Sequence, residues 1–277
     1  LGQTSVPNIS DTQRENCDTD ITEEELLCAL KTMKNGSAPG YDGITIEFIK
    51  FFWSRLGKLI TSSFMAGLEN KSLSSTQRKA VITLIHKGKD LPRDKLKNWR
   101  PISLTNSDYK LLAKCLALRL TRVIHDIVHT DQVGYIKGRQ SSTLLRLVDD
   151  VITQLDVTNK PVLLLACVYS QAFDRISKEY MLTVFEKFGF GPKFVEWVKV
   201  LMSNTQSCVS YCGWLSQFFS VESGIRQGCP FSSLAFVLGM EILAIKIRDS
   251  NDIAGIDYLL YYTNDIISLL TIALYAD

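Results

Sequence analysis

Residues 98–127 read NWRPISLTNSDYKLLAKCLALRLTRVIHDI, and from Ser107 onward Leu111, Leu112, Cys115, Leu116, Leu120, Val123, Ile124 and Ile127 recur at three- and four-residue steps. That period draws one apolar stripe along a long amphipathic helix, and Lys110, Lys114, Arg119 and Arg122 are expected on its other face. Upstream, the apolar run from Ala80 to Ile85 is bounded by charges and predicts a strand that leads into a basic loop, His86 to Asn98. Further back, Thr22 with Glu25 three residues on is a capping-box signature for a helix carrying Leu26, Leu27, Leu30 and Met33, ended by Asn35-Gly36. The turn-rich SAPGYDG, Ser37 to Gly43, separates it from a second helix near Thr45 with Phe48, Ile49, Phe52, Trp53, Leu56, Leu59 and Ile60 on one face.

Downstream, DQVGYIKGRQ (131–140) reads as an irregular loop, followed by a helix to about Leu155. Val162 to Tyr169 is a continuous apolar run of strand length, the pattern of a strand buried on both faces at the centre of a sheet. Ser177 is placed to cap a helix through Phe188. GFGP (189–192) breaks it before a short helix with Phe194, Trp197, Val198 and Leu201, and Val209 to Val221 predicts a hairpin around Gly213. A Gly-rich loop, GIRQGCP (224–230), feeds a helix to about Arg248, and the chain finishes in an apolar strand ending Leu274-Tyr275-Ala276-Asp277. The apolar stretch 258–276 is interrupted by Asn264 and Asp265, so it is read as core strand and loop and no membrane partner is expected. A helix-rich front with a strand-rich back indicates an α+β fold.

The 277 residues, 46% of them hydrophobic, can build a proper core and exclude collagen-like, disordered and disulfide-scaffold classes. Seven Cys, an odd count without a C-x-x-C pair, suggest neither a disulfide framework nor a zinc site. They fit a reducing, intracellular compartment, cytoplasm and/or nucleus. No basic-then-apolar leader opens the chain, which reads as a piece cut from something longer. The net charge of +2 conceals an uneven distribution. Residues 1–25 hold seven acids and one base, whereas residues 71–122 hold thirteen bases and three acids, a net +10. Such a block is the footprint expected of a nucleic-acid contact, although a solvated lysine-rich face has the same composition.

Two acid-bearing features end expected central strands: the neighbourhood of Val162 to Asp174, and Tyr275-Ala276-Asp277. Carboxylates on adjacent strands can converge into the hard oxygen set that Mg²⁺ takes, and a metal pair can clamp both oxygens of an in-line phosphoryl displacement. An Asp at a strand end is also an ordinary turn anchor.

Six segments in this order resemble the reverse transcriptases of LINE-type, non-LTR retrotransposons. They are SAPGYDG with EFIK downstream, NWRPISLTNSDYKLLAKCLALRL, DQVGYIKGRQ, QAFDRISKEY from Gln171, GIRQGCPFSSLAFVLGMEILA from Gly224, and the terminal LYAD. The WRPISL and DQVGY pair looks closer to this type than to group II intron maturases or telomerase. The resemblance implies a right-hand polymerase fold of fingers and partial palm around a central antiparallel sheet, with the thumb missing. Residues 1–66 would be a helical extension leading into the fingers, and 67–277 the fingers and palm.

It further implies copying of an RNA template from a DNA primer with dNTPs and two Mg²⁺ ions; nothing points to an oligomer. Carried over by position, Lys87 and Arg100 would hold the triphosphate, a role suited to a point charge and a planar fork. Phe173 would stack under the sugar and crowd out a 2′-hydroxyl, and Gln227 with Gly228 would line the template and nascent pair. Against these stand an exposed lysine, a core phenylalanine and a plain turn. Asp277 matches a metal ligand, but Val168 occupies the other metal-ligand position and has no oxygen to offer. Asp174 matches the structural acid after the aromatic gate. Gln171, Cys229 and Ser233 stand where Lys, Asp and Pro are usual. The expectation is an RNA-directed DNA polymerase domain that is catalytically defective as this chain, or else a decayed, non-catalytic nucleic-acid-binding remnant.

Overall fold

A computed structural model describes residues 4–88, 90–158, 169, 171–252, 256–259 and 266–269, with Thr158 and the last two segments described in backbone only. The chain opens with α1 (Asp11–Cys17), whose cap is a full capping box: Gln13 N donates to Ser10 Oγ and Ser10 N to Gln13 Oε1. At α2 (Glu23–Thr32) only half of the expected box forms. Glu25 N donates to Thr22 Oγ1 at 3.2 Å, while the Glu25 carboxylate is drawn away to Arg119.

The helix expected from Thr45 divides into α3 (Ile46–Phe51) and α4 (Trp53–Glu69). Phe52, at φ −96° and ψ 15°, leaves helical geometry between them, so the two helices present separate stripes. Ile46, Ile49, Trp53, Gly57 and Phe64 are the buried ridge, and the expected Phe48 and Leu59 stand exposed.

The predicted strand is β1 (Lys79–His86), followed after a single 3₁₀ turn (Leu96–Asn98) by β2 (Trp99–Thr105). The helix expected from Ser107 is α5 (Ser107–Ile127), and all eight apolar positions of its predicted stripe are buried. Then come α6 (Ser141–Thr158), α7 (Ala172–Arg175), α8 (Lys178–Lys187), capped by Ser177 as expected, and α9 (Pro192–Met202) with Pro in its first turn. The expected hairpin is β3 (Gln206–Tyr211) with β4 (Trp214–Leu215). Its turn places Cys212 and Gly213 at φ 46° and 83°, a left-handed pair suited to the twist of hairpin strands. After β5 (Phe219–Ser220) come α10 (Ser232–Arg248), β6 (Ile256–Leu259) and β7 (Ile266–Leu269).

The main sheet has the order β2-β1-β3-β4, with β5 also on β3. The expectation of an antiparallel sheet is corrected here, because β1 and β3 run parallel, from Lys79↔Gln206 to Thr83↔Ser210. Parallel neighbours need a long crossover, and α5 to α9 supply it. β6 and β7 form a separate antiparallel pair. Of the strand expected over residues 162–169 only Tyr169 is described. Val168, Asn264, Asp265 and the terminal 274–277, Asp277 included, lie outside the described residues. Among the described residues no helix is long and apolar enough to cross a membrane, and the six described cysteines are all free.

Helices α1, α2, α5, α8, α9 and α10 share one core. At its N-terminal side the expected basic face of α5 is corrected at Arg119, which is only 1% exposed. Its Nε and Nη2 donate to the two Glu25 oxygens at 2.7 and 2.6 Å, Nη1 to Cys17 O and Thr19 O at 2.7 and 2.8 Å, and Nη2 also to Asp20 O at 3.0 Å. All five guanidinium N–H groups are thereby satisfied, which makes a buried charge tolerable. Replacing Arg119 by Met is expected to cost about 3–5 kcal/mol, because it leaves a carboxylate and three carbonyls without their donor. Urea unfolding monitored by circular dichroism measures this; a loss below about 1 kcal/mol would show that the network holds nothing together.

Candidate functional site

The β1–β2 ribbon positions the first two expected residues. In the antiparallel register Ile85 faces Arg100 and His86 faces Trp99, and Lys87 N continues the ladder to Asn98 O at 2.9 Å. Alternation along the strands puts Lys87, Ile85, Arg100 and Ile102 on one face and His86 with Trp99 on the other, their rings 5.0 Å apart. Lys87 is exposed and Arg100 half-buried. The connecting loop is tied by Asn98 Nδ2 to Pro92 O at 2.6 Å and Trp99 Nε1 to Arg93 O at 3.0 Å, and its Arg93, Lys95 and Lys97 are exposed. Elsewhere in the basic block Lys110 donates to Ala38 O at 2.7 Å and Arg119 is buried, while Lys71 and Arg122 are exposed.

The Gly-rich loop assembles the remaining described residues. Gly224 N donates to Ile176 O at 2.9 Å and Ile225 N to Phe173 O at 2.8 Å, so the start of the loop lies along the backbone of α7. Gly224 has φ +83°, and a methyl group there would stand 2.8 Å from Asp174 Cα and 2.9 Å from Phe173 O. At the far end Ser103 N donates to Gln227 O at 2.9 Å, which carries the loop onto the edge of β2. Gly228, at φ +93°, sits against Ile102, on the ribbon face that bears Arg100 and Lys87. Gln227 Nε2 donates to both Asp174 oxygens at 3.3 and 3.4 Å. Partial burial beneath the loop raises the Asp174 pKa, and the Gln227 amide opposes that rise.

Phe173 is buried and stacks on Phe236 of α10, centroids 4.7 Å apart at 19°, with Tyr135 edge-on at 6.4 Å. The loop 128–139 that carries Tyr135 is pinned to α10 by charge. Arg139 donates to the carbonyls of Val128, His129 and Gln132, while Arg248 joins Asp131 at 2.9 Å and the buried Glu241. Burial raises the Glu241 pKa against the pull of Arg248.

The structure therefore ties the Gly-rich loop to Phe173 through Ile225 and to Asp174 through Gln227, and lays Gly228 against Ile102 of β2, the strand whose same face bears Arg100. Asp277 and Val168 lie outside the described residues. Sequence reasoning missed Tyr135 and the Arg248–Glu241 pair, for which local sequence carries no signal. Arg119 had a signal, since it falls four residues after Cys115 and four before Val123, on the apolar stripe.

Residues 85–277 match the family described as "Reverse transcriptase (RNA-dependent DNA polymerase)". The chain is 34% identical over 247 residues to the "Transposon TX1 uncharacterized 149 kDa protein" of Xenopus laevis, covering 88% of this chain and 18% of that protein. It is 25% identical over 273 residues to the "Retrovirus-related Pol polyprotein from type-1 retrotransposable element R2" of Popillia japonica, covering 93% of this chain and 37% of that one. To the "Probable RNA-directed DNA polymerase from transposon BS" of Drosophila melanogaster it is 25% identical over 232 residues, 83% of this chain and 24% of that protein. The chain thus spans well under half the length of these relatives.

Two outcomes check the loop's seating. Gly213, also at φ +83°, has open space where a methyl would go, so Gly213→Ala is expected to cost only the left-handed penalty of about 1 kcal/mol. Gly224→Ala adds a backbone clash and is expected to cost about 3 kcal/mol or more; equal losses on chemical denaturation would contradict the described contact. Carboxyl NMR titration is expected to find Asp174 protonating at higher pH than a free aspartate, and higher still in Gln227→Leu. Because the folded-state pKa is the raised one, Asp174 works against stability as pH rises through that range, and Asp174→Asn relieves the penalty at neutral pH.

Proposed function

The chain belongs to the reverse transcriptase (RNA-dependent DNA polymerase) family, and we propose that it is the fingers and part of the palm of a LINE-type, non-LTR retrotransposon polymerase. On this reading residues 67–277 are fingers and palm, and 1–66 a helical extension. The observation that carries it is the Gly-rich loop, bonded at one end to Phe173 and at the other to β2, with Gly228 on the face that bears Arg100 and Lys87. Arg100 and Lys87 would receive the triphosphate of a dNTP, the first through a bidentate fork and the second as a point charge. Phe173, backed by Phe236, forms a rigid apolar floor for the sugar, where a 2′-hydroxyl would lose its hydration without gaining a partner. Gln227, anchored on Asp174, and Gly228, without a side chain, let the template and nascent pair approach the loop backbone. The exposed Arg93, Lys95 and Lys97 beside them favour an RNA template and DNA primer electrostatically.

The family resemblance calls for two Mg²⁺ ions, and the donor set does not fit them. The Val168 side chain offers no oxygen, Asp277 supplies one carboxylate, and the Asp174 carboxylate is engaged by Gln227. Among the described residues no group of three His, Cys, Asp or Glu side chains could hold a metal ion. The chain is accordingly read as gripping substrate without polymerising it. A second reading, a decayed copy that retains nucleic-acid binding alone, is favoured by the further substitutions Gln171, Cys229 and Ser233.

Primer extension on an RNA template with Mg²⁺ or Mn²⁺ is expected to give no product above a heat-killed control. Since one missing electrostatic group typically costs ~10²–10³ in rate, measurable incorporation would overturn the defect. Product from Val168→Asp would assign the loss to that position, and none would favour the decayed copy. Filter binding to single-stranded RNA is expected to fall with salt at a log–log slope of about −3.5 if the five finger cations Lys87, Arg93, Lys95, Lys97 and Arg100 all meet phosphates. A flat salt response would count against both readings.

A further inference from the structure

The main sheet has a second face, turned away from Arg100 and Gly228, and register with alternation decides which rings it carries. His86 and Trp99 share it at one end. The parallel pairing of Ile82 with Val209 puts Val209, and two residues further on Tyr211, on the side of Ile82 and His86. Trp214 of β4 lies directly opposite Tyr211, and Phe219 of β5 opposite Ser207, so both rings join that side. Trp214 is 81% exposed and Tyr211 71%, and Phe219 is exposed too. On the other side, by contrast, the Phe218 ring is already engaged, edge to face with Tyr41 at 5.1 Å and 4.7 Å from Lys79 Nζ. Large rings left in solvent side by side on one face mark an interaction surface.

Charge selects the occupant. No Asp or Glu occurs in any strand from β1 to β5. The loop between β1 and β2 leans over this second face, because the Trp99 ring, which stands on it, donates Nε1 to Arg93 O at 3.0 Å. Residues 87–97 hold five bases against two acids, and Arg93, Lys95 and Lys97 are exposed. Open rings on a sheet with cations at its margin suit single-stranded nucleic acid, whose bases each offer a π-face to stack and whose phosphates each offer a charge. An apolar protein partner would make no use of the cations. We propose that this face is a platform for single-stranded nucleic acid, with bases stacked on Tyr211 and Trp214 and the backbone running towards Arg93 and Lys95. From Trp214 to Trp99 the path crosses three strand spacings, about 15 Å, which a short oligonucleotide spans. The platform lies on the opposite side of the sheet from Lys87 and Arg100 and needs no metal, so it does not rest on the polymerase reading of the first face.

Trp53 and Trp197 are buried and Trp99 half-buried, so Trp214 is the most exposed of the four tryptophans and its emission reports occupancy. Titrating the whole 277-residue chain, in buffer without divalent metal, with a dodecameric oligothymidylate is expected to quench tryptophan fluorescence. Trp214→Phe keeps a ring and is expected to bind while losing most of that quench. Tyr211→Ala and Trp214→Ala are each expected to weaken binding about tenfold, read from the anisotropy of a labelled strand. Both side chains stand in solvent, so neither truncation removes core packing. An abasic strand of the same length carries the phosphates without the rings, and it is expected to bind the alanine variants and the parent chain equally. Lys87→Ala combined with Arg100→Ala alters the other face and is expected to leave the quench at saturation in place, which separates a failure of the platform from a failure of the nucleotide reading. Unchanged affinity in both alanine variants, an equal loss of abasic-strand binding, or a dimer in sedimentation that Trp214→Ala dissociates would each overturn the proposal.

Discussion

A guanidinium without water must place all five of its N–H groups on acceptors, and the Arg119 network meets that demand in one arrangement of the N-terminal segment. The carbonyls of Cys17, Thr19 and Asp20 must turn inward together, which sets the bend between α1 and α2. Glu25 must then leave its own helix cap to reach the same charge. Because Arg119 belongs to α5, the acidic lead of the chain is bound to the helix on which α1, α2, α9 and α10 all pack. The cost of an unpaired buried charge makes the arrangement cooperative, since no single acceptor can withdraw without stranding the others.

From α5 the constraint passes to the candidate site. Asn106, just before that helix, donates to Thr76 O, and Ser107 Oγ donates to Ile44 O, so the SAPGYDG loop and the approach to β1 are held at its N-terminus. Tyr109, one turn in, lies under the Arg226 guanidinium and so reaches the Gly-rich loop from behind. The loop is consequently held on three sides, by α7, by β2 and by the buried Arg226, and its two left-handed glycines let backbone lie against backbone. A surface organised in this way suits an extended charged polymer, because hydrogen-bonded backbone supports the contact while cations stand at its margin on the exposed loop between β1 and β2.

Much of this was legible from local pattern. The stripe of α5, the strand at β1, the caps at Thr22 and Ser177, the hairpin around Gly213 and the helix after the Gly-rich loop all follow from periodicity and turn chemistry, which depend on neighbours within a few residues. The misreadings share a cause. Arg119 was assigned to the solvent face by its charge although its spacing put it on the apolar stripe. The face of α3 and α4 was drawn as continuous because nothing in FIKFFWSRL announces the break at Phe52. The parallel pairing of β1 with β3 joins residues more than a hundred positions apart, beyond the range of any local signal.

The amino-acid sequence by itself determined the starts of α2, α5, α8, α9 and β1, the concentration of positive charge in residues 71–122, and the absence of a side-chain oxygen at Val168, since these are properties of residue type and short-range spacing. Only the tertiary structure decided which of those charges are available. It sent Arg119 inward and Lys110 against a carbonyl, and left Lys71, Lys87, Arg93, Lys95, Lys97 and Arg122 in solvent. It also decided that Gln227 should hold Asp174 and that Gly228 should lie on the face of Arg100. The physical reason is that burial and partner choice are settled by acceptors distant in sequence, and the free energy of a buried charge depends on those acceptors far more than on its neighbours along the chain.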